Sequence, residues 1–144
     1  MKRRSLLALM VAALASPVLA APGASAVKVY KDVNCGCCSE WVTHMQRAGF
    51  NVSAENADMN VIRKKFSVPA GLSSCHTAVI EGYLIERHVP AREVKRLLAE
   101  RPKARGLAVP GMPAGSPGME GPRTEPYAVL LFDATGRSVV YQRY

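Results

Sequence analysis

The chain's four cysteines are Cys35, Cys37, Cys38 and Cys75, and three of them lie within four positions, Cys35-Gly36-Cys37-Cys38. Thiolate is the form of cysteine that attacks disulfides and binds metals. It is favoured where backbone N–H groups and the positive end of a helix dipole face the sulfur. Apolar residues at Cys38, Trp41, Val42, Met45 and Ala48 follow at helical spacing, so the cysteine run is expected to open a helix. Gly36 lets the backbone turn tightly, so that Cys35 and Cys38 face a common point with Cys37 beside them. Cys75 sits in the loop Leu72-Ser73-Ser74-Cys75-His76 before a strand, from where it can close the site from the opposite side.

Three chemistries compete for such a set. Structural disulfides suit an exported chain with an even cysteine count, yet a bond between the neighbours Cys37 and Cys38 closes a strained ring, and the crowded trio leaves only one distant partner. A thiol–disulfide exchange protein would use Cys35 and Cys38 as a C-x-x-C pair, with Cys37 or Cys75 resolving. The spacing favours the third, ligation of a soft metal by several thiolates. Thiolates and thioethers select copper(I), whereas zinc also accepts four cysteines but usually draws them from two spaced C-x-x-C knuckles. Crowded thiolates can also bridge more than one copper(I) ion. A metal-binding protein is therefore expected before an enzyme. If there is turnover, it is expected to be redox, since no Ser/His/Asp set, phosphate loop or carboxylate pair stands out.

Other side chains bear on the site. Met112 and Met119 lie in a Pro/Gly-rich stretch outside any helical pattern, where they read either as a soft-ligand lid or as ordinary loop residues. Met45 and Met59 fall on helix faces and read as packing. His76 follows Cys75: in a strand the two would point to opposite faces, whereas in a loop His76 can ligate or orient the site. His44 lies about two helical turns, roughly 10 Å, beyond Cys37 and reads as a core or surface residue. His88 reads as a loop residue before a helix. Trp41 reads as core packing, with shielding of the site as the alternative.

The elements that must hold these residues can be read in order. Val27–Lys31 alternates as a strand, and the cysteine helix ends at Gly49 as at a C-cap. Phe50–Ala54 is a second strand, and Asp58 caps a helix carrying Met59, Ile62 and Phe66, stopped before Pro69. Thr77–Ile80 and Tyr83–Glu86 flank the hairpin signal Glu81-Gly82, and Pro90 opens a helix with Val94, Leu97 and Leu98. Residues 102–126 lack periodicity, a length of structureless chain that in a compact domain is functional or disordered. Tyr127–Phe132 and Ser138–Tyr144 form a second hairpin. The order β, cysteine loop, α, β, α, β, β, α predicts an α/β thioredoxin-like small sandwich over residues 27–144, a mixed sheet with flanking helices and a C-terminal hairpin.

Lys2, Arg3 and Arg4 precede an apolar run, Leu6–Ala15, and Val18 and Ala20 stand at −3 and −1 of a cleavage site. That order predicts a secretory signal peptide over residues 1–20, too short in its apolar core to span a membrane, and a periplasmic mature protein without stable membrane insertion. Three of the 19 basic residues leave with it, so the excess over 11 acidic residues falls from +8 to +5. The remaining charges are interspersed, as in Arg92-Glu93 and Glu100-Arg101, and no basic stripe with aromatics points to nucleic acid.

Several stretches together resemble one family. They are Cys35-Gly36-Cys37-Cys38 with Trp41 and His44; Val68-Pro69 with Ser74-Cys75-His76-Thr77-Ala78; Gly82-Tyr83-Leu84-Ile85-Glu86 with His88-Val89-Pro90; and Gly106 through Pro113 with Gly115 through Glu120. The chain is similar over nearly all its mature length to the small bacterial periplasmic metal-binding proteins, long catalogued as a domain of unknown function, that include the copper-resistance protein CopG. The resemblance implies a thioredoxin-like fold and a role in copper handling, often beside copper efflux and resistance systems and with other periplasmic copper-handling proteins as partners. It carries the cysteine motif onto Cys35, Cys37, Cys38 and Cys75 and the methionine loop onto Met112 and Met119. Relatives often have a small residue where this chain has Arg87.

Overall fold

The computed structural model describes residues 23–144, and the signal-peptide reading of residues 1–20 lies outside the described residues. The elements in chain order are β1 (Ala26–Lys31), α1 (Gly36–Arg47), β2 (Asn51–Asn56), α2 (Met59–Phe66), a 3-10 turn (Ala70–Leu72), β3 (His76–Ile80), β4 (Tyr83–Glu86), α3 (Ala91–Glu100), β5 (Gly106–Ala108), β6 (Ala128–Phe132) and β7 (Ser138–Arg143). They form one seven-stranded sheet in the order β2-β1-β3-β4-β5-β6-β7. β1 and β2 are parallel, as are β4 and β5, and the other neighbours are antiparallel. The parallel pairs are those joined through α1 and α3, because a parallel return needs a crossover.

Strand alternation sorts the core into two layers. Ala78, Ile85, Leu107 and Val129 face one side, where Trp41 and Met45 of α1 and Val94 and Leu97 of α3 pack. Their neighbours Val79, Leu84, Ala108 and Leu130 face the other, with Val68, Leu72 and Phe66. The result is the expected mixed α/β sheet with helices on both faces and a C-terminal hairpin, consistent with the thioredoxin-like class. Met45 and Met59 are buried, as their helix faces predict.

Local signals account for most boundaries. The Asp58 carboxylate accepts from the Asn60 amide to cap α2, the side-chain cap expected of Asp at this position. Glu81 and Gly82 both have positive φ, 46° and 89°, the two-residue turn whose twist suits a tight hairpin. The stretch 102–126 is less bare than its sequence suggests. Gly106–Ala108 enters the sheet between β4 and β6, and three residues are too few to display a period. Gly106 is required there, since a β-carbon would collide with the Leu84 backbone. No helix among the described residues is long and apolar enough to cross a membrane.

Candidate metal centre

Sheet register brings the distant cysteine to the other three. β1 and β3 pair with Lys31 opposite His76, and one step further the Asp32 amide donates to the Cys75 carbonyl at 2.9 Å. Cys75 is thereby fixed at the end of β1, where the chain turns into the cysteine loop. That turn is closed by Asp32, whose carboxylate accepts from the Asn34 amide and whose carbonyl accepts from the Cys35 amide. Cys35 then serves as the N-cap of α1, its sulfur accepting from the Cys38 amide at 3.2 Å.

The four sulfurs lie within 4.8 Å of one another. Cys75 Sγ is 3.2 Å from both Cys35 Sγ and Cys38 Sγ, and Cys37 Sγ is 3.5 Å from Cys35 Sγ. Cys35 and Cys38 are joined as a disulfide, while Cys37 and Cys75 are free thiols. Burial, reinforced by the neighbouring Cys37, pushes the Cys75 thiol up, and the Arg87 charge pulls it partly back. Asp32, Asn34, Cys35, Gly36, Cys37, Cys75 and Met112 line a shallow recess of about 340 Å³ over the sulfurs. Met112, which is 49% exposed, is therefore at the mouth. Met119 is half-buried and is not among the lining residues; its amide and carbonyl bond to Ser116 and Gly115 within the same loop.

Histidines form the floor. His76 opens β3, and its side chain is wholly buried. The sequence pattern assigns His88 to a loop, and its side chain is nonetheless 1% exposed. It faces His76 with ring centroids 5.7 Å apart. Cys75, His76 and His88 bring their ligand atoms within 4.8 Å of one another, so Cys75 belongs to both groups. Among the described residues neither ring nitrogen of either histidine has a well-aligned hydrogen-bond partner, an unusual state for buried polar atoms, although the Arg87 and Pro117 backbones lie close enough to His76 and His88 to pull weakly the other way on their titration. Burial, and then the neighbouring His88, pulls His76 down to about 3, and burial lowers His88 as well. Both rings are therefore neutral near pH 7 and hold lone pairs free for ligation.

The turn that aims His88 is hidden in the sequence. Arg87 has φ 65°, a left-handed conformation that L-residues rarely adopt. Its carbonyl accepts from the Val89 amide at 3.0 Å, closing a three-residue turn around His88. Trp41 is fully buried in the core, as its packing reading predicts. It also touches the site, stacking on His76 at 4.6 Å and donating from Nε1 to the Val89 carbonyl. His44 is neither plain core nor free surface. Its Nε2 accepts from the Ala91 amide at 3.0 Å, capping α3, which has no side-chain cap of its own at Pro90. Burial holds His44 below its usual range, in the neutral form this cap requires.

A buried network supports the Cys75 loop. The Ser74 hydroxyl lies between the Glu86 carboxyl at 3.1 Å and the His76 carbonyl, with one proton to give to either, and Arg63 donates to the Ser74 carbonyl at 2.9 Å. Burial pushes Glu86 up to about 7, against the pull of the Thr77 and Ser74 hydroxyls and the Arg63 and Arg87 charges. Loop 109–120 closes the far side. A β-carbon on Gly118 would lie 2.7 Å from the Cys37 carbonyl oxygen and 3.1 Å from the Trp41 nitrogen. This loop is pressed onto the first turn of α1.

Comparison with known proteins bears on this arrangement. Residues 72–119 match the family model described as a protein of unknown function, DUF411, a span that holds Cys75, His76, His88 and Met112. Among curated proteins none matches the chain significantly. Two solved structures, described as copper resistance protein CopG forms 1 and 2, are similar. Form 1 is 44% identical with a TM-score of 0.77, covering 83% of this chain and 96% of that one. Form 2 is 43% identical with a TM-score of 0.77, covering 84% of this chain and 98% of that one.

Proposed function

The chain belongs to the CopG-like DUF411 family, and from that premise we propose that it is a periplasmic copper(I)-binding protein in copper handling or resistance. The observation that carries the reading is the convergence of four sulfurs within 4.8 Å. A soft, polarisable ligand set of this kind suits copper(I) and disfavours hard cations. Reduction of the Cys35–Cys38 bond frees all four as thiolates for the cargo ion. Cys75 is shared with His76 and His88, each of whose neutral rings offers one lone-pair nitrogen, so a second copper(I) ion can be held beside the first through a bridging sulfur. Met112 supplies a thioether at the mouth, and Met119 in the same loop supports the lid. Zinc accepts the same four thiolates but gains less from the thioethers. The basic, apolar and small-residue order of residues 1–20 supports export, and a shallow mouth suits delivery of the ion to other copper-handling proteins.

The test is anaerobic titration of the reduced mature protein with copper(I), followed by thiolate-to-copper charge-transfer absorption and metal analysis. Uptake with Cys37→Ser sharply reduced is the expected result. Unchanged stoichiometry in Cys37→Ser would count against the shared-thiolate site.

One observation favours a second reading, a copper or thiol–disulfide oxidoreductase. Cys35 and Cys38 are joined while Cys37 and Cys75 are free beside them. Closing that bond releases two electrons and two protons, enough to reduce two copper(II) ions to copper(I). Reduced protein mixed anaerobically with copper(II) then yields two copper(I) per disulfide formed, and Cys35→Ser abolishes this yield. Binding without electron transfer leaves the thiol count unchanged.

A further inference from the structure

Arg87 holds more than a strained backbone. Its guanidinium spans the site's two separate rims. Nη2 donates to the Ser73 carbonyl at 2.8 Å, two residues before Cys75. Nη1 donates to the Gly111 carbonyl at 3.0 Å, one residue before Met112. Ser73 belongs to the loop that delivers the distant cysteine, and Gly111 to the loop that delivers the thioether. Only a planar fork with donors fixed in different directions makes both bonds at once; a lysine ammonium on a flexible stem does not replace that geometry.

We propose that Arg87 is a positioning residue, a two-point strap that fastens the Met112 loop to the Cys75 loop and so governs how readily thiols and ions pass the mouth. The backbone and the side chain of Arg87 do separable jobs. The left-handed turn at residue 87 places His88 against His76, and glycine adopts that turn without steric cost. Arg87→Gly therefore keeps the turn and cuts the strap. Arg87→Lys keeps the charge and cuts only the fork.

The first arm of the test needs no metal. The mature protein, with Cys35–Cys38 oxidised, is labelled at its two free thiols, Cys37 and Cys75, with a bulky maleimide. Both variants are expected to label at least threefold faster than the unaltered protein, with the urea unfolding midpoint unchanged. Wild-type rates in both variants overturn the proposal. So does a wild-type rate in Arg87→Lys alone, which would make the charge, not the fork, the active feature. A fall in the unfolding midpoint large enough to account for the faster labelling overturns it too.

The second arm rests on the copper reading above. Copper(I)-loaded protein is mixed with excess of a water-soluble copper(I) chelator, and both variants are expected to release the ion about tenfold faster with unchanged capacity. Equal release rates overturn the strap. An unaltered protein that takes up no copper(I) refutes the copper reading instead, and the labelling arm then decides the strap by itself.

Discussion

Glu86 carries a charge that the fold is built to discourage, and replacing it tests the electrostatics of the layer beneath the cysteines. Its side chain is fully buried, and burial pushes its carboxyl up to about 7 from the ordinary 4.5. A group whose folded pKa is raised contributes stability that is complete below the unfolded pKa and is lost as pH rises through the folded one. The cost of ionising Glu86 in the folded state is therefore felt only as pH climbs from 4.5 past 7. Gln has the same shape and stays neutral, so Glu86→Gln escapes that cost. With about 1.4 kcal/mol per pKa unit, the advantage of the variant is about 3 kcal/mol at pH 8.5, about 2 kcal/mol at pH 6 and below about 0.5 kcal/mol at pH 4.5. The buried histidines lose stability in the opposite direction, as pH falls through 6.5 toward the lowered values of His76 and His88, but they are common to both proteins and cancel in the difference. The assay is urea unfolding of metal-free protein at several pH values, read from the midpoint at constant slope. A variant no more stable than the parent at pH 8.5, or one whose advantage persists undiminished at pH 4.5, would refute the reasoning.

Two further outcomes follow from contacts around the site. Trp41 is the chain's one tryptophan and stacks on His76, so copper(I) uptake is expected to quench its emission, and His76→Ala to weaken that quenching. Uptake with the emission unaltered would show that His76 takes no part. Gly118 combines φ 86° with backbone atoms where a β-carbon would go, so Gly118→Ala is expected to lift the loop off α1 at a cost of about 1–3 kcal/mol. Urea unfolding measures it, and wild-type stability would mean that the loop is not seated as described.

What the sequence conveys well is what periodicity and capping control. The two-residue alternation of β1, the Glu81-Gly82 hairpin signal between β3 and β4, the apolar stripe of α1 and the Asp58 cap are local, and each is visible in a window of a few residues. The Cys35-Gly36-Cys37-Cys38 turn is likewise local, which is why its geometry could be anticipated from spacing. β5 is different: Gly106-Leu107-Ala108 is held by neighbours far off in the chain, and a window of three residues amid prolines carries no period. Met112 and Met119 look alike in sequence, and only the path of the loop puts one at the mouth and the other among its own loop's hydrogen bonds.

His88 is the instructive case, because the information that places it is neither at His88 nor periodic. Continuation of β4 in an extended conformation would carry residue 88 along the sheet. The left-handed φ at Arg87 breaks that course, and the Arg87 carbonyl then closes the turn on the Val89 amide. An arginine is a poor advertisement for this conformation, since glycine or asparagine is the usual occupant, and so nothing in the string Glu86-Arg87-His88 announces a turn. The side chain supplies the reason to tolerate it. From this strained position the guanidinium reaches both Ser73 and Gly111. The strain that hides His88 from sequence reading is thus coupled to the contact that closes the mouth, which is why Arg87→Gly is expected to leave His88 in place and loosen only the rim.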